Sequence, residues 1–143
     1  MYKTIELKKE GRLARLTFNR PDSMNAMDGV MMKELADVFE SLKKDETVQV
    51  LLIQGEGRAF SAGGDIKAML DPNNPMKIED IMGDVSRLAS ALYTLPQITI
   101  AAVHGAAAGL GLSVALGCDF VIAEEESKIA MNFIGIGLVP DGG

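Results

Sequence analysis

Two apolar runs, each ending in a glycine-rich loop that leads into a helical stretch, constrain this chain more than any other feature. The first loop is Ala59-Phe60-Ser61-Ala62-Gly63-Gly64-Asp65-Ile66. The second, some forty-five residues further on, is His104-Gly105-Ala106-Ala107-Ala108-Gly109-Leu110-Gly111. The runs before them, Val48–Ile53 and Ile98–Val103, have the composition of strands buried on both faces. Strands alternating with helices imply right-handed βαβ units and a mostly parallel sheet, so the expected class is α/β. A loop that opens a helix leaves backbone N–H groups unpaired, where they can meet a ligand oxygen. Two such loops suggest that one donor from each converges on a single developing negative charge, an oxyanion hole.

The remaining elements follow from periodicity and turn chemistry. Thr4–Lys8 and Arg12–Asn19 predict a hairpin around Glu10-Gly11. Asp28 is placed to N-cap a helix running to about Lys44, with Met31, Leu35, Val38, Phe39 and Leu42 on its apolar face. Asp65 is placed to cap a short helix through about Leu70, and Asp71 to Pro75 forms a break. Ile78, Ile81, Met82, Val85, Leu88, Ala89 and Leu92 mark a longer amphipathic helix. After the second loop come a small-residue helix, Gly109–Leu116, and a strand, Asp119–Ala123. Glu124-Glu125-Glu126 suits a solvated turn. Residues 134–143 suggest the approach to another helix, with Pro140 near its start.

Charge and composition exclude several classes of function. The net charge is −6, yet residues 1–70 hold 11 acids and 11 bases, so the excess lies in the second half. No basic stripe is available to track a polyanion, which argues against nucleic acid. No apolar run reaches the length of a membrane span, and the N-terminus has no signal region, so a cytoplasmic protein without a membrane partner is expected. With one His and one Cys in the chain, neither an internal disulfide nor a zinc site is expected. Cys118, in an apolar run, has the pattern of a small buried residue.

The second loop admits a rival reading. Gly105-x-x-x-Gly109-x-Gly111 between strand and helix has the spacing of a nicotinamide-binding turn, with Glu124 where a ribose-binding acid would stand. Against it, that fingerprint normally opens its fold, whereas βα units precede it here. Little chain follows Glu124 to make a catalytic half, and the first loop is left without a role.

Asn19-Arg20-Pro21-x-x-Met24-Asn25-Ala26-Met27, Phe60 to Lys67, Ala102 to Gly105 with Gly109-Leu110-Gly111, and Gly117-Cys118-Asp119, in this order, resemble the crotonase (enoyl-CoA hydratase/isomerase) superfamily. The resemblance covers the whole chain. It implies a crotonase-like fold of ββα repeats in one domain, residues 1–143 forming about its first half without the C-terminal part. It also implies that the Gly64 and Leu110 N–H groups form the oxyanion hole for a thioester carbonyl. Ala62 and the segment Gly64-Asp65-Ile66-Lys67 would line the acyl-CoA groove, with Ala26 in the opposite wall, Lys67 near the CoA phosphates, and Asp65 capping its helix. No metal or redox cofactor would be needed, CoA being part of the substrate. The family usually assembles as trimers or hexamers.

At the positions of a hydratase's two glutamates this chain carries Ser113 and Phe133, neither a carboxylate. Ser113 suits packing or the holding of a water; Phe133 suits the core or the acyl pocket. Asp141, following Leu138-Val139-Pro140, resembles the catalytic aspartate of the isomerase branch, which includes ring-opening isomerases of phenylacetyl-CoA degradation. Double-bond migration needs one base, whereas water addition usually needs an acid and a base, so the pattern favours isomerisation. Asp141 as a helix N-cap is the alternative. His104 is expected to support the second loop through hydrogen bonds. Three further readings stay open: a hydratase with an atypical site, a non-catalytic acyl-CoA-binding or assembly subunit, and an NAD-binding short-chain dehydrogenase fragment.

Overall fold

The computed structural model describes residues 1–74 and 77–142. Pro75 of the expected break, Gly143 of the expected helix approach and the side chain of Ile78 lie outside the described residues. Strands β1 (Ile5–Glu10) and β2 (Leu13–Phe18) form the expected hairpin, with Gly11 at φ +62° in the first of its two turn positions. A positive φ there is one that glycine adopts without strain. Helix α1 (Gly29–Leu42) starts where Asp28 accepts a hydrogen bond from Met31 N, and it buries Met31, Leu35, Val38, Phe39 and Leu42.

Strand β3 (Val50–Gly55) leads through the first glycine loop to α2 (Ile66–Met69), capped by the Asp65 carboxylate accepting from Ala68 N. Helix α3 (Ile78–Tyr93) packs along α1, and Arg87 on it forks onto Glu40 and reaches Asp37 of α1. Strand β4 (Ile98–Val103) is followed by the short β5 (Ala106–Ala108), α4 (Leu110–Leu116), β6 (Phe120–Ala123) and β7 (Lys128–Ala130). The main sheet runs β1-β2-β3-β4-β6, antiparallel only at the hairpin, as a mostly parallel α/β fold requires.

Three expectations need correction. Val50–Gly55 is not buried on both faces: Leu51 and Ile53 are covered, whereas Val50 and Leu52 are half-buried. Their face continues into Ile98, Phe120 and Ile122, which stand in the open. Second, the described residues hold no helix at the expected start near Pro140; a 3-10 turn over Phe133–Ile136 is followed by irregular backbone through Gly142. Third, β5 and β7 were not expected, and they matter for the site. Among the described residues, no helix is long and apolar enough to cross a membrane.

Candidate active site

The first loop is held from both sides. On one side, Ala62 N donates to Met24 O, Met27 N to Gly63 O, and Asp65 N to Met27 O. On the other, Phe60 N donates to His104 O, Ser61 N to Ala106 O, and Ala108 N to Ser61 O. Parallel bridges at Met27–Gly64 and Ser61–Ala107 therefore join the Met24–Met27 segment, the first loop, β5 and β7 into one small layered unit.

Among the described residues the Gly64 N–H makes no hydrogen bond, whereas the N–H of the next residue, Asp65, donates to Met27 O. Leu110 is the first residue of α4, and the first intrahelical bond is Ser113 N to Gly109 O. The Leu110 N–H is thus one of the unpaired donors of the helix start. The loops approach so closely that a Cβ on Gly63, whose φ is +97°, would lie 2.7 Å from Ala108 O and 3.4 Å from Leu110 N. Gly105 is equally constrained: at φ +59°, a Cβ there would fall 2.1 Å from Arg58 O. His104 sits beside it and bonds Gly57 O through Nε2 at 2.7 Å, the supporting contact expected of it.

Gly64, Leu110 and Asp141 line one cavity of about 100 Å³, together with Ala62 and Ile66. Its remaining wall is mainly apolar, from Met32 of α1, Met69 of α2, Ile81 and Val85 of α3, and Phe133. Asp141 is the one titratable side chain among the described lining residues. Its Oδ1 is buried and has no hydrogen-bond partner among the described residues. Burial pushes its carboxyl above the ordinary carboxylate range. Such a carboxylate is poorly solvated and is correspondingly a stronger base.

Of the other expected site residues, all but Phe133 stand outside the lining of this cavity. Asp65, besides capping α2, accepts from Arg20 Nη1 at 3.0 Å, while Arg20 Nη2 lies 3.3 Å from Asp28 Oδ2. Arg20 Nη1 also donates to Ala26 O, which fixes the Ala26 backbone beside the first loop. Lys67 is exposed on α2. Ser113 is buried and donates its hydroxyl to Asp141 O at 2.7 Å. Phe133 is buried against the cavity, as expected of a core or pocket residue. Cys118 is buried, and its thiol is pushed up to about 12, mainly by burial, so it is no nucleophile near neutral pH.

Asn25 has a role that sequence reasoning did not assign. It is fully buried at φ +54°, next to Met24 at φ +51°. Its Nδ2 donates to Glu56 O and Ala59 O at 2.9 and 2.8 Å, and its Oδ1 accepts from Arg20 N at 2.8 Å. A side chain with both donors and an acceptor can satisfy three backbone groups at once, and asparagine tolerates the left-handed conformation. Its place in the Asn19–Met27 motif was the available signal.

A dinucleotide turn would pass directly from strand to helix, whereas here strand β5 intervenes between β4 and α4; Glu124 lies beside His104 in an open depression that Gln54 also lines. Among the described residues, no group of three His, Cys, Asp or Glu side chains is placed to hold a metal ion.

Residues 8–143 match the sequence family described as Enoyl-CoA hydratase/isomerase. The chain is 46% identical over 133 residues to YhaR of Bacillus subtilis, covering 93% of this chain and 52% of that protein. It is 40% identical over 133 residues to the 1,2-epoxyphenylacetyl-CoA isomerase of Escherichia coli, covering 90% of this chain and 50% of that one. The crystal structure of an enoyl-CoA hydratase from Mycobacterium avium subsp. paratuberculosis superposes with a TM-score of 0.88 at 36% identity, covering 98% of this chain and 55% of the other. The chain thus spans about half the length of the relatives it matches.

Proposed function

The chain belongs to the enoyl-CoA hydratase/isomerase family, and on that premise we propose that it moves the double bond of an enoyl-CoA thioester by a one-base mechanism centred on Asp141. The observation that carries this reading is the pairing of a half-buried carboxylate, whose Oδ1 is buried and unpartnered among the described residues, with two backbone donors around a single cavity. The Asp141 carboxylate takes a proton from C2 of a 3-enoyl thioester. The released electron pair conjugates with the carbonyl and forms an enolate, whose oxygen receives the Gly64 and Leu110 N–H groups. The protonated Asp141 then returns the proton at C4, leaving the double bond between C2 and C3. No atom is gained or lost, and no metal or redox group takes part.

Fixed donors suit this step because the charge they meet is greatest in the enolate-like transition state. Ala62 and Ile66 would border the acyl end of the thioester. Ala26, Asp65 and Lys67 would lie along the CoA portion, with the exposed Lys67 ammonium available to a phosphate. The apolar wall of Met32, Ile81 and Val85 favours an unfunctionalised acyl chain. Hydration fits less well. Ser113 spends its hydroxyl proton on Asp141 O, and Phe133 offers no proton to transfer, so a water would have a single carboxylate to serve as both acid and base.

Steady-state assays with a 3-enoyl-CoA and the matching 2-enoyl-CoA test this reading. Double-bond migration is expected to exceed hydration by about a hundredfold in kcat/KM, in line with the lack of a second acid–base group. Hydration as fast as migration would overturn it.

A further inference from the structure

We propose that Ser113 is a positioning residue, whose hydroxyl clamps the main chain at Asp141 to helix α4 and so holds the carboxyl group over the cavity. For its catalytic consequence this role rests on the one-base reading above; the clamp itself stands on geometry.

A serine within a helix commonly returns its hydroxyl to the carbonyl one turn back. Ser113 instead donates to Asp141 O, 28 residues away in sequence, at 2.7 Å. It is 1% exposed, so a donor left without a partner there would be unfavourable. Among the described residues, no backbone–backbone hydrogen bond involves residues 139 to 142, and the preceding Leu138 and Val139 are exposed. The Ser113 hydroxyl is therefore the hydrogen bond that fixes the Asp141 backbone.

The next residue completes the seat. Gly142 has φ +72°, and a Cβ there would lie 2.5 Å from Leu110 Cδ1 and 3.1 Å from Ser113 Cβ. Residues 141–142 thus rest directly on the first turn of α4, the turn that presents the Leu110 N–H. One short helix sets both the oxyanion donor and the proposed base, so their separation is governed by a single rigid element. The groups facing Asp141 are uncharged: Met32 from α1, Met69 from α2, Ile81 and Val85 from α3, and Leu110 from α4.

The test compares Ser113→Ala, Ser113→Thr and Gly142→Ala with the unaltered chain, by carbon NMR titration of the Asp141 carboxyl and by isomerase kinetics. Ser113→Ala is expected to lower kcat about tenfold to a hundredfold with KM within about twofold, as a misplaced catalytic group does. Freed from its seat, the carboxyl gains water, so both its titration midpoint and the acid limb of the rate profile should move to lower pH. Ser113→Thr keeps the hydroxyl and should restore both to near their original values. Gly142→Ala should reproduce the Ser113→Ala behaviour with the hydroxyl intact, and it decides the matter if Ser113→Ala does not fold. An unmoved midpoint in Ser113→Ala, or in Gly142→Ala if that variant must decide, overturns the clamp. Failure of Ser113→Thr to restore the midpoint does so as well. If the unaltered chain turns over no 3-enoyl-CoA, the one-base reading fails, and the carboxyl titration still judges the clamp.

Discussion

Replacing Asp141 by asparagine is expected to lower kcat for double-bond migration by about 100- to 10,000-fold, the range that a positioned acid–base group supplies. Asparagine keeps the shape and the backbone contact to Ser113 but cannot accept or return a proton. Binding of the thioester should persist, because the Gly64 and Leu110 donors and the apolar wall are unchanged. The pH dependence sharpens the expectation. The active form of Asp141 is the carboxylate, and burial raises its pKa, so activity should rise with pH through a value above the ordinary carboxylate range. That limb should vanish with the substitution.

Stability should run the other way. A carboxyl whose folded pKa is raised stabilises the fold fully below its unfolded pKa, and this contribution is lost as pH rises through the folded value. At neutral pH the unaltered chain therefore carries a half-buried, poorly solvated charge, and Asp141→Asn should be at least as stable in denaturant titration. Equal turnover by the two proteins would remove Asp141 from the mechanism.

Gly63→Ala is expected to be nearly as damaging for a different reason. The methyl group would fall 2.7 Å from Ala108 O, a backbone atom in β5 that has no rotamer to change. The φ of +97° adds strain for any residue with a Cβ, typically about 1–3 kcal/mol. The first loop can relieve both only by moving off the second, which separates the Gly64 and Leu110 donors. Losing the alignment of one such donor costs about 100- to 1,000-fold in kcat. Kinetics should therefore show a fall mainly in kcat, with a lowered melting temperature. A variant within about twofold of the unaltered rate would mean that loop contact at Gly63 does not set the donor geometry.

The parts of this structure written in local pattern were legible. Asp28 and Asp65 announce helix starts by residue type, α1 and α3 show helical spacing, and Gly11, Gly63, Gly105 and Gly109 all take positive φ. The parts that depend on distant partners were not legible. Ala106–Ala108 has neither β-branched residues nor alternation, and it is a strand only because Lys128–Ala130 and the Ser61 backbone pair with it. The Asp65 ion pair with Arg20 spans 45 residues, and the Ser113 bond to Asp141 O spans 28; no period or cap rule encodes either. The half-covered β3 misled for a related reason, since apolar composition reports the burial a strand can tolerate and not which helices pack on it. Within the site, the motif resemblance supplied Gly64, Leu110 and Asp141 as candidates. It took the fold to place them around one cavity and to give Asn25 and Ser113 their supporting contacts.

In the proposed reaction a thioester oxygen sits between the Gly64 and Leu110 N–H groups. The infrared carbonyl stretch of a carbon-13-labelled, non-isomerisable acyl-CoA reports on that contact. Two hydrogen bonds aimed at the oxygen polarise the C=O bond, so the stretch should fall to lower frequency on binding than in water, and the shift should shrink in Gly63→Ala. A bound thioester whose carbonyl absorbs at or above its solution frequency would mean that the Gly64 and Leu110 N–H groups do not meet its oxygen.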